Sequence, residues 1–351
     1  MQPETGDADQ IRARPVPDCA LCGQPGVPLY RELADRLFDA PGRWDISRCP
    51  SPACGLLWLD PMPVEEDIAR AYRSYYTHAP AAARSLPHRA RERLRHAAQT
   101  GYLASRYGGA GSRWWQRLLG RIAALHPGWR AAADFAGMYL PVRPGGRLLD
   151  VGCGRGDALA ALHDCGWSVH GVDIDDSAAR VARSCGFDAQ TGTVADRHFP
   201  DGHFDAIVMS HVIEHVHDPV GLLRECRRIL KSDGWLVAVT PNARSLGHRI
   251  FGGAWRALDP PRHLHLFNRP TLDRIARAAG FPDPSVTTTV LYADEQFLAS
   301  RRIRRAGRTV FGRREGVLRR LWAMRLQMTE WSALRVRPDA GEDVVLRARR
   351  E

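Results

Sequence analysis

Three groups of residues in the sequence have types and spacings that could do chemistry. The first is Leu148-Leu149-Asp150-Val151-Gly152-Cys153-Gly154-Arg155-Gly156, where three glycines follow an apolar run. Glycine there lets the chain turn tightly after a strand and pass close to a ligand. Asp173 stands 23 residues beyond Asp150, at the end of the next apolar run. A carboxylate at that point can accept hydrogen bonds from both hydroxyls of a ribose. The second group is Ser210-His211-Val212-Ile213-Glu214-His215, with His263 and His265 further on, alternating with Leu264 and Leu266. These titratable groups suit proton abstraction from a hydroxyl or an acidic carbon, although a histidine that caps or packs a helix has the same signature. In an extended segment His263 and His265 would point the same way. The third group is Cys19-x2-Cys22-Gly23 with Cys49-x4-Cys54-Gly55. Four thiolates, each pair closing on a glycine that permits a knuckle turn, suit a closed tetrahedral zinc site with no position open for catalysis. A pair of disulfides is the alternative.

The glycine turn discriminates between cofactors. A dinucleotide site would carry its third glycine at position 157, which is Asp157 here. An acid in the first helical turn repels a pyrophosphate, and Asp150 suits a cationic or zwitterionic ligand better than a phosphate. The pattern favours S-adenosylmethionine.

Around these residues the sequence divides into four parts. Residues 1–18 read as a disordered leader, and 19–62 as a small unit that needs a staple. Residues 63–140 are helix-patterned, broken by Gly108-Gly109-Ala110-Gly111. From 141 to 351 strand-like and helical runs alternate, the signature of an α/β sheet. Strands are predicted at Arg147–Val151, Ser168–Val172, Asp188–Thr193, Phe204–Met209, Trp235–Val239, Ser285–Leu291 and Asp343–Leu346.

In order along the chain, LLDVGCGRG, VHGVDID, FPDGHFDAIVMSHVIEHVHDP and LKSDGWLVAVTPN resemble the successive motifs of class I S-adenosylmethionine-dependent methyltransferases. The resemblance runs from about Gly145 to Arg350. It implies an α/β fold with a seven-stranded, doubly wound, Rossmann-like sheet, carrying here a small N-terminal zinc ribbon and a helical insert. Gly152 and Gly154 would pass under the methionine part of the cofactor, Asp150 would face its amino end, Asp173 would hold the ribose and Ile174 would lie against the adenine. Many relatives have an acid after the third strand, where this chain has Thr193; the Val194 backbone or Asp196 is left for that role. With Cys153 and His211, the implied cofactor-binding set is Asp150, Gly152, Cys153, Gly154, Asp173, Ile174, Val194 and His211. The implied catalytic set is His215, Glu214, His263 and His265, and the metal set is Cys19, Cys22, Cys49 and Cys54. The ribbon, followed by Tyr72, Tyr75 and Tyr76, resembles a bacterial subset of the family, several of which act on sugars or other secondary metabolites, some at carbon, and in which Tyr75 or Tyr76 would close over the cofactor. The relatives that methylate amino groups of bases or protein amides usually carry an Asn/Asp-Pro-Pro-Tyr/Phe motif after the fourth strand, where this chain has Ser210 to His215. The expected acceptor is a hydroxyl or carbon of a small molecule, a sugar or a lipid-linked glycan. An RNA methyltransferase and a non-catalytic cofactor-binding protein are the alternatives.

Charge adds a second question. Among 351 residues, 50 basic side chains face 39 acidic ones, a net +11, and Lys231 is the only lysine. Residues 84–130 and 301–351 each carry +9, which leaves −7 for everything else. In the first segment Arg113, Arg117 and Arg121 form one helical stripe beside Trp114, Leu118, Ile122 and Leu125. The second mixes Val317, Leu318, Leu321, Trp322 and Met324 with Arg319, Arg320 and Arg325. Packing on the catalytic part or on a second subunit is the favoured expectation, ahead of peripheral contact with an anionic membrane and of RNA. Residues 1–10 are acidic and polar, unlike a secretory or transit leader, and no run approaches the ~18 apolar residues of a membrane span. The expected location is the cytoplasm.

Overall fold

The computed structural model of the protein describes residues 10–72, 86–108, 112–310 and 315–351. Five short strands come first: β1 (Ala13–Arg14), β2 (Val27–Leu33), β3 (Trp44–Arg48), β4 (Leu57–Leu59) and β5 (Met62–Pro63). A 3-10 turn over Glu65–Tyr72 precedes helices α1 (Leu86–Tyr107), α2 (Trp114–Ala123) and α3 (Pro127–Ala136). Alternation then sets in, with β6 (Arg147–Val151), α4 (Asp157–Asp164), β7 (Ser168–Asp173), α5 (Asp176–Ser184), β8 (Asp188–Thr191), β9 (Phe204–Ser210), α6 (Pro219–Ile229) and β10 (Leu230–Pro241). The chain closes with α7 (Leu246–Phe251), β11 (His265–Leu266), α8 (Arg269–Ala278), β12 (Ser285–Thr289), α9 (Ala293–Ala306), α10 (Val317–Ala333) and β13 (Asp343–Arg349).

Seven strands make one sheet in the order β12-β13-β10-β9-β6-β7-β8. From β10 to β8 neighbours run parallel, whereas β13 lies antiparallel to both β10 and β12. The central strands are covered on both faces, so they read as continuous apolar runs: Ala206, Ile207, Val208 and Met209 are fully buried in β9, as are Leu236 to Val239 in β10. Strand order reverses between β6 and β9, and in such a sheet the crevice at the carboxyl ends of the strands on either side of the reversal is where ligands bind. The glycine turn after β6 and the His211–His215 segment after β9 both open onto it.

The N-terminal unit does not stand apart. Its sheet, β11-β4-β3-β2, takes β11 from the segment that follows β10, with His265 opposite Trp58 and Leu266 opposite Leu57. Asn268 Nδ2 donates to the carbonyls of Cys54 and Gly55 at 2.9 and 3.0 Å. The boundary expected after residue 62 is therefore bridged by hydrogen bonds that pattern reading cannot foresee. The expected leader also ends early: residues 1–9 lie outside the described residues, but Ala13–Arg14 pairs with Met62–Pro63, and Arg12 binds the Asp67 carboxylate at 2.8 Å. Pairing satisfies the backbone of a stretch whose composition alone suggests no structure.

Helix α2 crosses α1 through two glycines. A Cβ on Gly101 would come within 2.0 Å of the Gln116 carbonyl, and one on Gly120 within 2.5 Å of the Ala98 carbonyl. Trp114, Leu118 and Ile122 lie on the far side of α2 from Gly120 at 3.6 residues per turn, and all three are exposed. Of the two packings expected for this stripe, the one on the catalytic part of the same chain does not occur.

Candidate active site

At the end of β6 the chain turns through Gly152 and Gly154 with φ of 74° and 53°, in the left-handed region that favours glycine. A Cβ on Gly152 would meet Val212 Cγ2 at 2.4 Å, whereas nothing lies within 4 Å of the corresponding point at Gly154. The first glycine permits close packing under the turn, and the second leaves room above it. Asp173, at the end of β7, accepts hydrogen bonds from the Gly154 and Asp175 amides, both at 2.8 Å, one to each oxygen. Each oxygen keeps a second lone pair. Burial raises the Asp173 carboxyl above its ordinary value, and burial followed by the Asp173 charge pushes Asp150 up to about 8.

Gly152, Gly154, Asp173, Ile174, Thr193, Val194, His211, His215 and His263 all line one cavity of about 1310 Å³. That exceeds the ~300–1,000 Å³ of an ordinary small-ligand pocket, leaving room for a donor and an acceptor together. Asp150, Cys153, Glu214 and His265 do not line it. Asp150 and Cys153 are buried beneath the turn. Asp196, a candidate for the adenine edge, is engaged instead by the Thr193 amide at 2.9 Å and hydroxyl at 2.8 Å. His265 is drawn into β11, buried with neither ring nitrogen bonded. Only His265 belongs to that strand, so the expected parallel pointing of His263 and His265 does not arise. Tyr75 and Tyr76 lie outside the described residues.

The histidines form a connected group around Glu214. His211 adopts φ 54°, a left-handed conformation that costs an L-residue about 1–2 kcal/mol; its amide donates to the Val239 carbonyl at 2.8 Å. Its Nδ1 lies 3.2 Å from Glu214 Oε1, while Glu214 Oε2 accepts from the Thr240 hydroxyl at 2.9 Å. An ionised carboxylate only accepts, so Nδ1 carries the proton and Nε2 of neutral His211 keeps its lone pair. Burial would lower the His211 imidazole, but the Glu214 hydrogen bond and the nearby Asp343 and Glu214 charges outweigh it and raise it above the usual value. Burial likewise opposes ionisation of Glu214, yet the His211 hydrogen bond and three surrounding imidazoles hold it down to about 2. His215 behaves oppositely: burial and His263 lower it to about 4. Its Nδ1 is 2.9 Å from the Arg262 carbonyl and 2.8 Å from the Tyr72 hydroxyl. His263 donates from Nδ1 to the Ala257 carbonyl at 2.8 Å, and its ring lies 4.7 Å from that of His215.

Pattern reading did not single out the support of this loop. The Arg262 guanidinium, wholly buried, binds Asp35 through two nitrogens at 2.8 and 2.9 Å, Asp259 at 2.5 Å and the Ala71 carbonyl at 3.0 Å. It locks the N-terminal unit to the His263 loop and sets Phe38, under its face at 4.7 Å, into the cavity wall. An acid before two prolines and an arginine (Asp259 to Arg262) was the available signal, but Asp35 is 227 residues away. Arg262→Met leaves two buried carboxylates without their partner. It is expected to destabilise the protein by about 3–5 kcal/mol, measured by urea unfolding.

The four cysteines are also brought together. Their sulfurs lie within 4.8 Å of one another, with Cys19 to Cys54 at 3.7 Å and Cys22 to Cys49 at 3.4 Å. These are not disulfide separations of ~2.0 Å. A tetrahedron with metal–sulfur bonds of ~2.3 Å has edges of ~3.8 Å, so the donor set fits a four-thiolate metal centre. Gly23 and Gly55 close the knuckles with φ of 70° and 67°.

The sheet order and the glycine turn fit what the relatives show: the chain belongs to the S-adenosylmethionine-dependent methyltransferase family, and it is an enzyme of that kind. A methyltransferase-domain family model matches residues 123–284. The ubiquinone biosynthesis O-methyltransferase of Thiobacillus denitrificans is 31% identical over 156 residues, covering 41% of this chain and 67% of that protein. The ubiquinone biosynthesis O-methyltransferase of Alkalilimnicola ehrlichii is 30% identical over 190 residues, 50% of this chain and 76% of that one. A solved SAM-dependent methyltransferase from Archaeoglobus fulgidus aligns over 68% of this chain and 100% of its own, with 21% identity and a TM-score of 0.44.

Proposed function

We propose that this methyltransferase acts on a hydroxyl group of a small organic acceptor, with His211 as the base and Glu214 as its positioning residue. The observation that carries the reading is His211 on the cavity wall with Glu214 buried behind it, 3.2 Å from its Nδ1, so that Nε2 is left to take a proton. S-adenosylmethionine, when bound, supplies an electrophilic methyl group on a sulfonium. Asp173 would hold its ribose, Ile174 and Val194 would flank the adenine, and the turn through Gly152 and Gly154 would pass under the methionine part, with Gly154 leaving room for it. His211 would accept the hydroxyl proton as the oxygen attacks, and the proton leaves to solvent after turnover. The cavity's main contribution is orientation. His215, with its imidazole neutral at physiological pH, and His263 shape the wall beside Tyr72. The O-methyltransferase names of the similar proteins support an oxygen acceptor over a carbon one. Sugar and lipid-linked hydroxyls fall within the same chemistry.

The test is incubation with methyl-labelled donor and fractionated cell extract, followed by mass spectrometry of labelled products. An O-methyl ether or ester is expected. Label on carbon, nitrogen or RNA, or donor binding with no transfer to any fraction, overturns the reading.

The Cys19, Cys22, Cys49 and Cys54 centre would hold structural zinc. One zinc per chain is expected by elemental analysis. Cys49→Ser is expected to weaken zinc binding at least ~100-fold, since loss of an outer-shell partner alone costs 10–100-fold; a competitive chelator titration reads it.

A further inference from the structure

Two exposed helix faces, one of them at the mouth of the cavity, have no use in the chemistry above. On α2, Trp114, Leu118 and Ile122 are 76, 52 and 57% exposed, interleaved with the exposed Arg113, Arg117 and Arg121. On α10, Val317, Leu318 and Leu321 are 73, 82 and 54% exposed, beside Arg320 and Arg325. The opposite side of α10 is the buried one, through Ala323, Gln327 and Glu330. Helix α10 packs on the start of α3, which follows α2 in the chain: a Cβ on Gly128, three residues after the exposed Leu125, would meet the Gln327 side chain at 2.5 Å. Val310, Arg320 and Met324 are both exposed and part of the cavity lining, so this surface forms the cavity rim.

We infer that the exposed faces of α2 and α10 dock the enzyme on a bilayer containing anionic phospholipid, with the cavity rim at Val310, Arg320 and Met324 turned toward the lipid. Burying the Leu, Ile and Val side chains at the headgroup boundary removes apolar surface from water, while the arginines meet lipid phosphates and Trp114 sits at the interface. The charge selects this occupant. A second copy meeting the same faces would set Arg113, Arg117 and Arg121 of α2, or Arg320 and Arg325 of α10, against like charges. RNA would pair with the arginines but leave the aliphatic side chains between them in water. Among the described residues no helix is long and apolar enough to cross a membrane. The docking does not depend on the hydroxyl-transfer reading. Resting on that reading, it adds that the acceptor is an amphiphile whose apolar part remains in the bilayer while its hydroxyl reaches His211.

The test is flotation of the full chain with phosphatidylglycerol–phosphatidylcholine vesicles and, separately, with phosphatidylcholine alone. Wild type is expected to float with the anionic vesicles, less as salt rises, and not with the neutral ones. Leu118→Asp/Ile122→Asp and Leu318→Asp/Leu321→Asp are each expected to lower partitioning at least tenfold. Both pairs lie outside the cavity lining, so donor affinity by calorimetry should stay at the wild-type value and certifies the fold. Four results would overturn the proposal: no flotation, flotation unchanged in both variants, a wild-type dimer that the variants dissociate, or salt-sensitive retention of RNA in place of vesicles. Loss of docking with turnover on a soluble acceptor intact would leave the transfer reading standing. Docking without any transfer would sink only the latter.

Discussion

Asp173→Ala is expected to weaken donor binding by ~10²–10⁴-fold. The proposed ribose contacts are two hydrogen bonds to an ionised acceptor, each worth about 1.5–3 kcal/mol, and every 1.4 kcal/mol is tenfold in affinity. The same substitution frees the Gly154 and Asp175 amides that the carboxylate holds at 2.8 Å, so the turn proposed to carry the donor loses its anchor as well. Asp173→Asn keeps the shape and one strong acceptor, and should fall between the two. Calorimetry with S-adenosylmethionine or S-adenosylhomocysteine reads the effect. Donor affinity within threefold of wild type in the alanine variant would show that the ribose is held elsewhere.

His211→Ala is expected to lower kcat by ~10²–10⁴-fold, the usual contribution of a positioned general base, with donor affinity nearly unchanged. The pH profile separates a base from a packing residue. A base must be neutral to accept the proton, so kcat/KM should climb as pH rises through the His211 pKa, which lies above the ordinary imidazole value of ~6.5. Glu214→Gln removes the charge that raises it, so the acid limb should move to lower pH while the plateau falls. A limb that stays put in Glu214→Gln would assign the titration to another group. Full activity in His211→Ala together with loss in His215→Ala would move the base one turn along the same segment.

Both effects depend on residues that the sequence marked unevenly. Asp173 was legible as a candidate because its placement is local: a strand, a glycine turn and a carboxylate at the next strand end are all set by neighbours in the chain. His211 was legible as a residue but not as a base. Its proton affinity is raised by Glu214, itself held low by three imidazoles from two separate segments. His215 shows the converse, since the same burial with a second imidazole alongside depresses it. The spacing of the two histidines in the sequence says nothing of either environment.

The seven strands, the glycine turn and the paired cysteine knuckles were determined by the sequence alone, because apolar runs, glycine conformations and metal-ligand spacings act over a few residues. Tertiary structure alone decided what joins those pieces. It brought β11 across to complete the N-terminal sheet and ran Arg262 between Asp35 and Asp259. It also took His265 out of the cavity that His263 lines. It likewise decided the meaning of the Arg-rich segments, since the stripe reads the same whether it packs or stays exposed. Only the glycine crossing of α1 and α2 turns Trp114, Leu118 and Ile122 outward. Pairing, burial and charge compensation are set by which distant segments meet, and amphipathic periodicity carries no record of the partner.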